Sequence, residues 1–245
     1  MLGTAARIPI CRSCLAMLLP LGGPCCGRCG RSFASPVALE TDDLPLCHVC
    51  RRNLYDFDFA RSYGAYTSKM AGAVILLKYQ EVTPLATWFA AVLRETFERN
   101  REMCLADVVV PVPAHALRLR ERGYNHAELI AEPLARSLGL PCRSYLLVRS
   151  RPRADKLRLT MRERWRSVRG AYTIRQGLRV DNLRVLLVDD VLTTGATLDA
   201  CSRALRKGGA AKVVALTVAR AIPRQEEAGF EAPRRDQTDE LGPIG

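Results

Sequence analysis

Asp189 and Asp190 stand side by side at the end of the apolar run Val185-Leu-Leu-Val188, and after Val191-Leu192 comes the turn Thr193-Thr194-Gly195-Ala196-Thr197. Carboxylates accept from sugar hydroxyls and bind hard cations. Threonine hydroxyls and the free amides at a helix start donate to phosphate oxygens. A glycine within the turn lets the backbone approach an anion closely. If a strand delivers the acids and a helix opens from the turn, both sets meet at the carboxyl edge of the sheet, where open α/β sheets bind their ligands. The same letters also suit a plain strand-to-helix turn in which Asp190 or Thr193 caps the helix. Two acids, a hydroxyl-rich glycine turn and an apolar strand in one short register favour the phosphate-and-sugar site.

A second set lies near the start. Seven of the ten cysteines fall in the first fifty residues, and six of them form the Cys-x-x-Cys pairs Cys11/Cys14, Cys26/Cys29 and Cys47/Cys50. Two such pairs make a closed tetrahedral thiolate site, the usual structural zinc. Disulfides would need an oxidising compartment. Cys25 and His48 are further possible ligands. A third set is Arg118-Leu-Arg-Glu-Arg-Gly-Tyr-Asn-His-Ala127, which follows Val108-Val-Val-Pro-Val-Pro113. A strand that leads into a basic loop at a helix start suits pyrophosphate, with Arg122 and Asn125 as candidate contacts. The plain alternative is a helix start capped by Asn125, with Arg122 solvated.

These residues need a scaffold, and the chain's periodicities predict one. The stretch 8–53 is rich in Cys, Gly and Pro and has too little apolar material to fold unaided, so a metal staple is expected there. Strands are predicted at Asp58–Tyr66, Asp107–Val112, Ser144–Val148, Ala171–Ile174, Arg184–Val188 and Lys212–Ala219. Helices are predicted at Ser68–Tyr79, Leu85–Arg99, Tyr124–Leu138 and Ala196–Lys207, the last stopped by Gly208-Gly209. Alternating strands and helices over 58–222 imply an α/β domain with a parallel sheet flanked by helices. Arg153–Arg169 is dense in cations with few apolar residues and reads as a basic linker; 223–245 reads as a disordered tail.

The 245 residues suffice for one such domain plus a small module. With 37 Lys and Arg against 25 Asp and Glu, the formal charge is +12, which suits polyanionic partners such as nucleic acid or phosphorylated metabolites. The longest apolar run, Met70–Leu77, ends at Lys78, far short of the roughly 20 residues of a membrane span. No clean cleavage site follows Leu15–Leu21, so the expected location is cytoplasmic.

The Val185–Leu198 loop resembles the phosphoribosyl pyrophosphate (PRPP) signature of type I phosphoribosyltransferases. Together with Pro111-Val-Pro113, Arg122-Gly-Tyr-Asn125, the earlier Leu77-Lys78-Tyr79 and the cysteine pairs, it makes residues 8–222 resemble the ComF family, which joins a double zinc ribbon to a phosphoribosyltransferase-like domain. The resemblance implies a type I phosphoribosyltransferase-like fold with a small N-terminal zinc-ribbon module. It implies that Thr193, Thr194, Gly195, Ala196 and Thr197 hold the ribose 5-phosphate of PRPP. It casts Asp189 and Asp190 as the catalytic pair, engaging the ribose 2- and 3-hydroxyls directly or through magnesium. Arg122, Asn125 and Lys78 would add PRPP contacts, and pyrophosphate would leave through an oxocarbenium-like state. Glu121 and His126 are candidate bases by location.

Family members often carry four cysteine pairs and two zincs. On that comparison Cys11/Cys14 look like a second pair whose partner is missing, leaving Cys26, Cys29, Cys47 and Cys50 as a complete structural zinc site. The alternative joins Cys11/Cys14 to Cys26/Cys29. His126 stands where the family has Gln, and Arg153, Lys156 and Ser167 stand where it shows Thr, Gln and Asn. The resemblance therefore implies two functions. One is a magnesium-dependent phosphoribosyltransferase with an unidentified acceptor. The other is a non-catalytic competence protein that handles single-stranded DNA together with DNA-uptake proteins.

Overall fold

A computed structural model of the chain describes residues 10–33, 45–151 and 160–221. The short helices α1 (Arg12–Ala16) and α2 (His48–Arg51) precede β1 (Phe59–Ala65), α3 (Ser68–Tyr79), α4 (Pro84–Arg99), α5 (Arg101–Cys104) and β2 (Val108–Pro111). Then come α6 (Ala116–Arg122), α7 (His126–Leu138), β3 (Leu147–Arg149), α8 (Met161–Val168), β4 (Tyr172–Ile174), β5 (Arg184–Leu192), α9 (Ala196–Lys207) and β6 (Lys212–Arg220).

The main sheet is parallel, in the order β1-β6-β5-β2. Its strands are apolar on both faces, as a sheet covered by helices on each side requires. Within β5 the side chains divide by alternation. Leu186 and Val188 join the core under α3, α4 and α7, while Val185 and Leu187 join the opposite core under α9. β6 divides the same way, with Val214 and Leu216 on one side and Val213 and Ala215 on the other. β3 and β4 form a separate antiparallel pair beside α9.

The cysteine-rich segment lies along the outer edge of β1. Leu21 N–H donates to Tyr63 O (2.6 Å) and Ala60 N–H to Arg28 O (2.8 Å), so backbone groups that an edge strand would leave open are paired. Gly64 permits this approach, since a Cβ there would sit 2.8 Å from Leu19 O.

The predicted α/β class holds, and three local readings are corrected. β5 continues past the acids to Leu192, because Val191 and Leu192 still pair with Ala219 and Arg220 of β6. The basic loop before Gly123 is the helix α6, whose residues are all at least partly exposed and carry no apolar stripe to betray it. The second half of the basic linker is α8, started by a capping box between Thr160 and Glu163 and held down by the buried Trp165 and Val168. Arg153, Lys156 and the tail 223–245 lie outside the described residues.

Candidate functional site

β5 carries Asp189 and Asp190 at its carboxyl end, both buried. Asp190 N–H donates to Asp189 Oδ1 (2.9 Å) and Val191 N–H to Asp190 Oδ1 (2.8 Å), so local backbone amides fix both carboxylates. Neither acid caps α9: Gly195 occupies that position, at φ +83°, without a side-chain cap. Capping by Asp190 or Thr193 is therefore not what the chain builds, and beyond Ala196 the first-turn amides of α9 have no side-chain acceptor among the described residues, as suits an anion site. Within the turn, Ala196 N–H reaches Thr194 Oγ1 at 3.4 Å.

Lys78, near the end of α3, forms an ion pair with Asp190. His126, the first residue of α7, places Nε2 3.8 Å from the same carboxylate oxygen. Burial alone would raise the Asp190 carboxyl, but Lys78 and then His126 outweigh it and hold the group below the usual carboxylate range. Burial and the neighbouring Asp190 charge push Asp189 upward. Burial, reinforced by Lys78 and Arg122, lowers His126 to about 4, leaving its imidazole neutral at pH 7. His126, Asp189 and Asp190 offer ligand atoms within 4.8 Å of one another. Two carboxylates and a neutral imidazole suit a divalent cation that also takes oxygen ligands from a bound phosphate.

The other sequence candidates fare unequally. Asn125 is buried and caps α7, accepting from Ala127 N–H (3.2 Å) and donating to Val112 O (3.1 Å), so its amide ties α7 to the segment after β2. Arg122 ends α6 with its guanidinium 4.5 Å over the ring of Tyr79. Glu121 is exposed and pairs with Arg118 at 3.1 Å. Ser167 donates to Arg164 O (2.8 Å) and lines a small cavity shared with Thr193, Thr194 and Thr197.

Sequence reasoning missed the brace under the turn. Tyr55 Oη donates to Thr194 O (2.9 Å), and its ring stacks on Phe57 (4.4 Å) and Trp165 (6.0 Å). Asp56 N–H donates to Asp199 Oδ1 (2.7 Å), and Arg203 bridges Asp56 and Asp199. The aromatic spacing of Tyr55 and Phe57 just before β1 was a visible signal, but its partner lies 139 residues away. Gly195 packs against this brace: a Cβ there would lie 2.6 Å from a Tyr55 ring carbon. Gly195→Ala is therefore expected to cost about 2 kcal/mol in denaturant unfolding, from left-handed strain plus the clash. Gly177→Ala, at φ +80° with open space around it, carries the strain alone and is expected to cost less.

Cys26, Cys29, Cys47 and Cys50 are all buried, with their sulfurs within 4.8 Å of one another. The Cys29 and Cys47 sulfurs are 3.6 Å apart. A tetrahedron with zinc–sulfur bonds of about 2.3 Å needs sulfurs about 3.8 Å apart, so the set fits zinc. Cys26 Sγ accepts from the amides of Cys47 (3.3 Å) and Cys29 (3.5 Å), as a thiolate ligand would. The buried Arg220, at the end of β6, donates to Cys29 O (2.6 Å) and reaches Cys29 Sγ (3.6 Å), setting a positive charge beside the cluster. Among the described residues Cys11 and Cys14 do not join this set; they lie at the start of α1, Cys11 exposed and 3.1 Å from Ser13 Oγ. The arrangement that would share zinc between Cys11/Cys14 and Cys26/Cys29 is not the one adopted.

The family profile described as "Phosphoribosyl transferase domain" matches residues 125–232. With the parallel sheet and the acid-threonine loop, this makes the main body of the chain a phosphoribosyltransferase-type domain. The DNA utilization protein YhgH of Salmonella typhimurium is 31% identical over 191 residues, covering 77% of this chain and 80% of that protein. Competence protein F of Haemophilus influenzae is 26% identical over 221 residues, covering 88% and 92%. Competence protein ComFC of Bacillus subtilis is 28% identical over 218 residues, covering 86% and 84%. The chain belongs to the ComF family. Among the described residues no helix is long and apolar enough to cross a membrane.

Proposed function

We propose that the chain binds PRPP at the carboxyl edge of β5 and transfers its phosphoribosyl group to an acceptor, releasing pyrophosphate. The observation that carries this reading is the meeting of the buried Asp189–Asp190 pair, the uncapped Thr193–Thr197 turn and the Lys78 ammonium at one sheet edge. The turn amides and threonine hydroxyls hold the 5-phosphate. Asp189 and Asp190 accept from the ribose 2- and 3-hydroxyls and stabilise positive charge that develops on the ring. The bond from the anomeric carbon to pyrophosphate breaks, the bond to the acceptor forms, and the acceptor's proton leaves to a base. His126, neutral and beside Asp190, is the group placed to take that proton. Lys78 passes from Asp190 to the pyrophosphate oxygens. Magnesium held by these carboxylates and the substrate's own oxygens would supply further positive charge to the leaving group. A zinc held by the four cysteines would be structural, since four protein ligands leave no open position.

The test follows pyrophosphate release from PRPP with magnesium, in the presence of pooled nucleobases and small amines. Turnover that disappears in Asp190→Asn supports transfer. Tight PRPP binding without any release would reduce the reading to ligand binding.

A second reading is favoured by the charge of +12 and by relatives named for competence and DNA utilization. In it, the protein handles single-stranded DNA alongside DNA-uptake proteins and PRPP is a regulatory ligand. Backbone contacts by lysines and arginines make such binding steeply salt-dependent. A single-stranded oligonucleotide shift at low salt that survives Asp189→Asn/Asp190→Asn supports this reading, and no shift at low salt removes it. Placement in the cytoplasm goes with both readings.

A further inference from the structure

The cavity beside the threonine turn is lined by two arginines as well as by hydroxyls. It is lined by Thr193, Thr194 and Thr197, by Arg164 and Ser167 of α8, and by Arg149 at the end of β3. Among the described residues no carboxylate lines it. Arg149 Nε donates to Arg151 O (3.0 Å), and the guanidinium lies 5.2 Å over the ring of Tyr172. Its Nη2 is sealed from solvent and has no hydrogen-bond partner among the described residues. A buried guanidinium nitrogen without an acceptor is costly, and an acceptor entering the cavity, such as an anion, would complete it. α8 is pinned by the buried Trp165, which stacks on Tyr55 beneath the same turn, so Arg164 comes from an anchored helix. Threonine hydroxyls, the amides opening α9 and two guanidiniums surround a small space with donors. That is the chemistry of a compact dianion, and a guanidinium fork matches phosphate geometry.

We propose that Arg149, assisted by Arg164, closes the threonine turn from the β3 and α8 side and makes the cavity selective for a terminal phosphomonoester, the 5-phosphate of the phosphoribosyl ligand. This rests on the reading of the β5 edge as a PRPP site. Arg149 is a binding and specificity residue, distinct from the carboxylate pair that faces the ribose hydroxyls.

The experiment titrates ribose 5-phosphate, and separately pyrophosphate, into the full-length wild type, Arg149→Gln, Arg149→Lys, Arg164→Gln and the exposed α4 control Arg99→Gln. Near-ultraviolet circular dichroism establishes that each variant is folded. Arg149→Gln is expected to weaken ribose 5-phosphate at least tenfold and pyrophosphate less than twofold. Arg149→Lys should recover part of the loss, Arg164→Gln should weaken ribose 5-phosphate severalfold, and Arg99→Gln should match wild type. Unchanged ribose 5-phosphate affinity in Arg149→Gln would overturn the assignment. So would an equal loss for both ligands without recovery by lysine, which would leave Arg149 a prop for the β3–β4 pair. PRPP titrated into the same proteins separates the two ideas. Arg149-dependent binding of ribose 5-phosphate with no binding of PRPP sinks the PRPP reading and leaves the phosphate pocket standing. PRPP binding indifferent to Arg149 does the reverse.

Discussion

Chelating zinc, or replacing Cys47 by serine, is expected to unfold the N-terminal module and to weaken the phosphate turn with it. The four buried cysteines lie within one apolar cluster that also contains Tyr55, Phe57, Ala196 and Leu198. Structural zinc contributes about 10 kcal/mol or more to small thiolate modules, more than the whole stability of many domains. The damage travels along a named route. Arg28, between Cys26 and Cys29, donates to Tyr55 O (2.6 Å) and Phe57 O (2.7 Å), and Tyr55 in turn holds Thr194 O. Losing the knuckle frees Arg28, then the Tyr55 ring that packs on Gly195. Thermal unfolding with and without chelator should show a large drop in midpoint, and ribose 5-phosphate affinity should fall at chelator levels that remove the metal. One zinc per chain is expected by metal analysis. Two would mean that Cys11 and Cys14 find a further set of ligands. A chain that keeps its midpoint and its affinity without metal would refute the staple.

Asparagine substitutions at the acid pair should have unequal effects on stability, destabilising at Asp190 and not at Asp189, while both abolish PRPP binding. In Asp190→Asn, Lys78 loses its partner in a largely buried site. Stripping one member from such a pair costs about 3 kcal/mol, the low end of the usual range, because Lys78 keeps 22% of its side chain exposed. Among the described residues Asp189 forms no ion pair, and burial and the Asp190 charge, which outweigh the more distant pull of Lys78, disfavour its ionised form. Asp189→Asn retains an acceptor for Asp190 N–H and removes that conflict, so unfolding at pH 7 should show stability equal to or above wild type. Denaturant titration of the two variants checks the sign. Equal destabilisation by both would mean that Lys78 does not discriminate between the two carboxylates.

Much of the main domain was legible because its signals are local. β5 is announced by the apolar run Val185–Val188, α9 begins at a glycine turn and ends at Gly208, and α3 spans the residues its spacing predicts. The cysteine set was legible from pair spacing and the family comparison, which favoured Cys26, Cys29, Cys47 and Cys50, and the folded chain brings those four together. α6 and α8 were not read as helices, since cations dominate both; α6 buries no residue, and α8 is held by a capping box and by the buried Trp165 and Val168. At the site, Lys78 could be named only through the Leu77-Lys78-Tyr79 resemblance, because its pairing with Asp190 spans much of the chain. Asn125 took the structural role that a polar residue before a helix most often has. The Tyr55 brace and the buried Arg149 nitrogen are tertiary facts, set by what α8 and the module bring to the turn.

Calorimetry of PRPP with magnesium, on one preparation of the full chain, tests the central claim most directly. Wild type is expected to bind with saturable one-to-one stoichiometry, and Asp189→Asn/Asp190→Asn to show no binding while remaining folded. A wild-type chain that gives no saturable heat with PRPP and magnesium, or a double variant that binds as well as wild type, would contradict the assignment of the β5 edge as a PRPP site.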